Sequence, residues 1–332
     1  MKPHQRLLVV VAAVLLALAA SAPFASPYVI ILITHALIFA ILAMSVDLLL
    51  GYTGLPSLGQ AAYLGMGAYL TAILATKFQL GLDGTFWIIV VLGMLIGAAT
   101  AAFFGLFAIR ATGVYFLMIT LALGMCVWGL AYRWNSVTGG DNGIVLPPRP
   151  QFWGIDLAND LVYFYLVFAF FVAALAALYL LVQSPFGRSL VGIRENELRM
   201  RILGYNTWLH KYIAFVIAGA FGGVAGVLWA HSNGLVSPED VILATSVDAL
   251  LMVVLGGPGT LVGGAIGASV VVFLREYLST LVPWWQYVLG AVYVLTILYL
   301  PGGLMGLPER MRRWRESTPP AKEAKEVQSV SH

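Results

Sequence analysis

Two carboxylates, Asp47 and Asp248, each follow a Ser-Val pair inside an otherwise apolar run. A charged carboxylate at the centre of a membrane helix costs about 2.5–3.5 kcal/mol on insertion scales, so one retained there has a partner or serves a conduction path. Asp47 ends its run, where a capping role at a helix end competes with a path role; Asp248 lies deeper and reads as a buried structural or path group. No bond-breaking constellation accompanies them. His35, His210 and His231 are scattered without metal-ligand spacing, Cys126 is the single cysteine, and no Walker A phosphate loop occurs. The remaining chemistry is movement of a solute, without catalysis, a metal or a cofactor bound directly by this chain.

The elements that must position these groups are broken ones. In SVDLLLGYTGLPSLGQAAYLGMGAYL, residues 45–70, Gly51, Gly54, Pro56 and Gly59 fall too close together for a smooth helix. The break near 51–60 also carries Ser57 and Gln60. Irregular backbone at membrane depth must be shielded by protein or line a cavity, and such elements make substrate sites in transporters. The other reading is a short cytoplasmic turn. GGPGTLVGG at 256–264 is a second break, behind Asp248. Asp47, Gly51, Gly54, Ser57, Gly59, Gln60 and Asp248 are therefore the candidate path residues. A break behind each Ser-Val-Asp fits a repeated transporter architecture.

Composition sets the class. The 332 residues are 61% hydrophobic and 10% charged, with mean hydropathy +0.91, whereas soluble domains carry about 25% charge. An all-α polytopic membrane protein of about ten transmembrane helices is expected. The expected spans are 7–20, 28–46, 61–76, 85–109, 112–131, 161–182, 212–231, 241–255, 265–278 and 284–300. The first resembles a signal peptide, but so many spans follow that it is expected to stay and start the topology. Gly93 and Gly97 form a small-residue packing pair, and 212–231 carries Gly219, Gly222, Gly223 and Gly226. Placing both termini and the loop 184–211 in the cytoplasm puts fourteen of the eighteen Lys and Arg residues there, as the positive-inside rule requires. The loop 133–160 is then external. A permease domain over 1–308 and a basic cytoplasmic tail over 309–332 complete the expected organisation, with no sign of nucleic-acid binding.

The loop 184–211 is the one long polar interruption in mid-chain. It sets Arg188, Arg194, Arg199, Arg201 and Lys211 against Glu195 and Glu197. A helix is predicted over 189–203, capped by Ser189 and stopped by Gly204. Val191, Leu198 and Ile202 would share one face, and Arg194 and Arg201 another. Such a helix suits a groove in a partner protein or anionic lipid, and the two glutamates favour the protein.

At this loop the chain resembles a known family. GRSLVGIRENELRMRILGYN, together with GYTGLPSLGQAAYLGMGAYL at 51–70, TGGDNGI at 138–144, LGGPGTLVGG at 255–264 and LPGG at 300–303, is similar to permease subunits of branched-chain amino acid ABC transporters, of the LivM type. These motifs run in order through most of 45–303. The resemblance implies a multi-pass subunit of the bacterial inner membrane, working beside a sister permease of the LivH type. It further implies two cytoplasmic ABC ATPases that bind ATP and Mg2+, and a periplasmic binding protein that delivers Leu, Ile or Val. The implied ATPase-coupling residues are Gly187, Arg188, Arg194, Glu195, Asn196, Glu197, Arg201 and Gly204. Leu198-Arg199-Met200 departs from the small residues more usual in relatives. A permease of the same scaffold for urea or short-chain amides, an ATP-independent channel or secondary transporter, and a non-transporting scaffold are the competing readings.

Overall fold

The computed structural model describes residues 13–78, 86–149, 151–152, 155–299 and 302–306. Residues 7–12 of the expected first span and the expected tail 309–332 lie outside them. Helix α1, Pro27–Asp47, starts with proline at its first position, where a missing N–H costs nothing. It continues as a π-helical turn, Leu48–Thr53, ended by Gly54 at φ 75°. The chain then breaks and resumes as α2, Gln60–Lys77. Next come α3 (Phe86–Ala108), α4 (Val114–Arg133), α5 (Asp160–Gln183), α6 (Pro185–Glu195) and α7 (Glu197–Ile202). The remaining helices are α8 (Thr207–Asn233), α9 (Leu243–Gly256), α10 (Val262–Leu281) and α11 (Trp285–Tyr299).

Among the described residues, seven helices are long and apolar enough to cross a membrane. Of the expected spans, 61–76 and 241–255 fold as α2 and α9, and the described part of 7–20 lies in the shorter apolar helix Ala13–Phe24; none of the three is in that set. At about 1.5 Å per residue, the 14 residues of α9 cover about 21 Å, short of a ~30 Å hydrocarbon core. The architecture is a polytopic helical bundle. Helix α1 is its centre, buried at every position from Ala36 to Leu49 and surrounded by α5, α8, α9 and α10. A helix apolar all round finds that environment only inside a bundle. Helices α3 and α4, by contrast, expose Trp87, Leu95, Phe103, Tyr115 and Met118, the outward apolar surface a membrane protein presents to lipid.

The expected Gly93/Gly97 packing face is real, and its partner is α8. A Cβ on Gly223 would collide with the carbonyl of Gly93, and one on Gly97 with that of Gly219. Close backbone approach substitutes here for the hydrophobic effect, which gives no drive between helices in lipid. Gly223→Val is therefore expected to destabilise the α3–α8 contact by at least the ~1–3 kcal/mol of ordinary overpacking. Loss of the chain from the membrane fraction checks it; wild-type levels would refute it.

Helix α5 runs from the loop 133–160 to Ser184, so the two polar loops lie at opposite ends of the bundle, as expected. The first is folded down onto the helix ends. Ile144–Val145 (β1) pairs antiparallel with Leu235–Val236 (β2), and Lys77 donates to the Ser136 carbonyl at 3.1 Å. Arg149 donates to the carbonyls of His231 and Ser232, pairs with Asp160 at 2.7 Å and lies over the Tyr163 ring.

Candidate functional site

The loop 184–211 holds two helices where one was expected over 189–203. Ser184, not Ser189, caps the first: its hydroxyl accepts from the Gly187 N–H at 3.3 Å, with Pro185 at the first helical position. Ser189 instead donates within α6 to the Phe186 carbonyl. Asn196 interrupts the helix with extended dihedrals and caps the second one, its side chain accepting from the Arg199 N–H at 2.9 Å. Val191 therefore sits on α6, half-buried, while Leu198 and Ile202 stand exposed on α7 with Leu203. They do not share a helix face. Gly187, against the Val182 carbonyl, is buried; Arg188 and Glu195 are exposed, and Gly204 ends α7 at φ 88°.

Glu197 faces inward. Its carboxylate accepts from Arg201 at 2.6 Å, Lys211 at 2.6 Å and Thr207 at 3.1 Å, tying α7 to the first turns of α8. Burial pushes the Glu197 carboxyl up, but the hydrogen bonds from Lys211, Arg201 and Thr207 outweigh it and hold the group below the ordinary carboxylate range.

Arg194 reaches the other way. From the last turn of α6 its guanidinium donates to the Gly51 carbonyl at the end of the π-helical turn, and its aliphatic stem lies against Gly54. Gly54 needs its positive φ to turn the chain there. Three residues later Ser57 is fully buried, its hydroxyl accepting from the Gly59 N–H at 3.2 Å. The break is then stitched into the bundle. Thr120 of α4 accepts from the Leu58 N–H at 3.1 Å, and Ser246 of α9 from the Ala61 N–H at 2.9 Å. The N-terminus of α2 has no cap of its own, so one of its orphan donors is satisfied by another helix. Gln60 is fully buried, its carbonyl oxygen 3.5 Å from the Ser45 hydroxyl.

Asp47 joins the two breaks. Fully buried, it accepts from the Gly259 N–H at 2.6 Å, in the loop between α9 and α10. A Cβ on Gly51 would collide with both the Asp47 carboxylate and the Gly259 nitrogen, so the turn and the 257–261 loop are packed backbone to backbone. Asp248 does not belong to this cluster. It lies 3.9 Å from Arg275 of α10, toward the opposite end of the bundle. The two Ser-Val-Asp stretches thus bring their serines to the start of α2, while their aspartates part. The arrangement can transmit displacement: α6 holds the turn through Arg194, and the turn holds the second break through Asp47. Sequence reasoning missed Lys211, Thr207, Thr120 and Ser246 as parts of this framework; only the cationic Lys211 and Ser246, in its Ser-Val-Asp stretch, carried a visible signal.

The family model described as the permease component of the branched-chain amino acid transport system matches residues 28–298. The chain is 31% identical to the high-affinity branched-chain amino acid transport system permease protein LivM of Salmonella typhimurium, over 82% of this chain and 68% of that one. It is 31% identical to the Escherichia coli LivM, over 88% and 73%. It is 25% identical to the Escherichia coli permease protein LivH, over 82% and 92%. No solved structure matches. The chain belongs to the family of permease components of branched-chain amino acid transport systems.

Proposed function

We propose that this chain is one of two membrane permeases of an ATP-driven importer for Leu, Ile and Val in the bacterial inner membrane. One observation carries the reading: α7 offers Leu198, Ile202 and Leu203 to the outside of the loop, while Arg194 of the preceding α6 grips the broken element of the bundle. An exposed apolar knob wired to the core suits a docking element. Its partners are two cytoplasmic ABC ATPases, which bind ATP and Mg2+, so the loop end of the bundle is cytoplasmic. The sister permease, of the LivH type, packs on the exposed apolar flanks, and a periplasmic binding protein docks on the end that carries 133–160. Gly187, Arg188, Arg194, Glu195, Asn196, Glu197, Arg201 and Gly204 build the coupling segment. Within it, Glu197 shapes the loop from inside, while exposed Glu195 and Arg188 face the ATPase.

The path runs between the two permeases. Asp47, Ser57 and Gln60 are buried within this chain and set the shape of the break, with Gly51, Gly54 and Gly59 allowing its close turns, so that the wall of the path shifts when the coupling loop moves. Vesicles reconstituted with this chain, its sister permease, both ATPases and the binding protein test the reading. ATP-dependent leucine uptake is expected. Urea uptake without leucine uptake would overturn the substrate, and leucine uptake independent of ATP would overturn the mechanism.

A further inference from the structure

At the end of the bundle remote from the coupling loop, a cavity of about 370 Å³ opens between α1, α8, α10 and the connection from β2 to α9. It lies at the small end of the roughly 300–1,000 Å³ range of small-molecule sites. Its lining is amphiphilic. Trp229 provides the apolar wall, braced by Phe39 at 5.2 Å and His35 at 4.9 Å between ring centroids. The Trp229 N–H is committed to Asp240, at 2.8 Å, which also accepts from the Ser237 N–H. The rim carries Arg275, Glu276 and Glu239.

These rim charges differ in how far the protein uses them. Glu276 accepts from the Tyr28 hydroxyl at 2.8 Å. Arg275 is half-exposed; its ion pair with Asp248 is long, at 3.9 Å, it lies 5.4 Å from the Trp285 ring centroid, and among the described residues its guanidinium makes no hydrogen bond. Glu239 is exposed, and among the described residues its carboxylate has no hydrogen bond or ion pair. The buried His35 Nε2 likewise lacks a partner. The lining thus sets charged groups of both signs, open to solvent, beside the apolar wall of Trp229. A cation site of one sign would not retain an arginine, and a site for an anion would not keep an unpaired glutamate. A ligand with both charges and an aliphatic body matches Arg275, Glu239 and the Trp229 wall together.

We propose that this cavity is an intake site for a zwitterionic α-amino acid: Arg275 takes the carboxylate, Glu239 the ammonium group, and Trp229 with Phe39 the aliphatic side chain. The inference rests on the reading of the chain as an amino-acid permease and places substrate contacts in this chain outside the broken elements. Equilibrium binding of tritiated leucine to the assembled transporter, purified without its binding protein, tests it. Saturable binding is expected, weakened about tenfold by Glu239→Gln, the effect of one charge-assisted hydrogen bond. Leucinol, which lacks the carboxylate, should compete poorly with wild type, and 4-methylpentanoate, which lacks the ammonium group, equally so. Arg275→Gln should weaken leucine binding while closing the gap between leucine and leucinol. Should Arg275→Gln fail to assemble, the exposed Glu239→Gln carries the test. No saturable binding, or binding indifferent to Glu239→Gln, overturns the site. So does a stoichiometric phosphatidylethanolamine in the purified complex that leucine does not displace, since that lipid headgroup is also zwitterionic. ATP-driven leucine uptake by the same wild-type complex, with its binding protein added back, separates the two failures: uptake with indifferent binding sinks the cavity alone, and no uptake sinks the permease reading with it.

Discussion

Glu197→Lys is expected to reduce ATP-driven leucine uptake by more than tenfold while the chain remains in the membrane. The substitution replaces an acceptor of three hydrogen bonds with a second ammonium group facing Lys211, whose side chain is only 8% exposed. Removing one partner of a buried pair costs about 3–5 kcal/mol. The lower end applies, because Glu197 itself is 27% exposed. That penalty falls on α7, whose 6 residues are far below the ~12–15 at which an isolated helix holds together in water. The spans are untouched, so membrane level, read by immunoblot, should persist as uptake falls. Glu195→Lys supplies the contrast: exposed and outside the α7–α8 clamp, it can disturb only docking. Normal uptake by Glu197→Lys would remove the clamp from the mechanism.

The same clamp has a signed dependence on pH. Burial raises the Glu197 carboxyl, and the Lys211, Arg201 and Thr207 hydrogen bonds more than reverse it, so the folded state holds the group below its unfolded value. A depressed carboxyl contributes stability that is complete above the unfolded value, about 4.3 for glutamate, and is lost as pH falls through the lower folded value. Acid, not base, should therefore free α7 from α8. Glu197→Gln, with no carboxyl to titrate, should lack that component of the acid transition.

How much of this was legible follows from how far each interaction reaches along the chain. The breaks at 51–60 and 256–264 were written in Gly and Pro, which act locally, and the Gly93/Gly97 face in a four-residue spacing. The two loops were placed at opposite ends by counting spans and charges. The single helix over 189–203 was a local misreading with its signals in plain view. Ser184-Pro185 is the stronger start, since proline favours the first helical position, and Asn196 followed by Glu197 is a second N-cap with an acid in its first turn. Periodicity carried Val191 across to Leu198 and Ile202 because it took no account of that interruption. Asp47 and Gly259 lie 212 positions apart, and Arg194 and Gly51 lie 143 apart. Nothing local encodes those partnerships. Asp47 was readable as a costly carboxylate, but not as the clasp between two breaks, and Asp248 was paired with it by a sequence likeness that the fold does not honour.

Arg194→Gln should separate ATP hydrolysis from transport. Glutamine keeps a polar side chain at an exposed position of α6 but is too short to place a donor on the Gly51 carbonyl from the same turn. Helix α6 should survive, because Leu190 and Ile193 anchor it from its buried side. What is lost is the hydrogen bond from the Arg194 guanidinium to the Gly51 carbonyl, which ties the loop 184–211 to the π-helical turn. Asp47→Leu attacks the next link in the same chain. It strands the Gly259 N–H inside the protein, at about 1–3 kcal/mol, and forces a branched side chain against Gly51, which has no room for a Cβ. Asp47→Asn keeps an acceptor of the same shape and should be milder. If force passes from α6 through Arg194 to the turn and through Asp47 to the 257–261 loop, Arg194→Gln should leave ATPase turnover in the complex near wild type while leucine uptake falls at least tenfold. Asp47→Leu should lower the amount of assembled permease, and Asp47→Asn should not. ATPase and uptake falling together in Arg194→Gln would mean that the arginine only seats α6, and the two breaks would then have to be moved from elsewhere in the bundle.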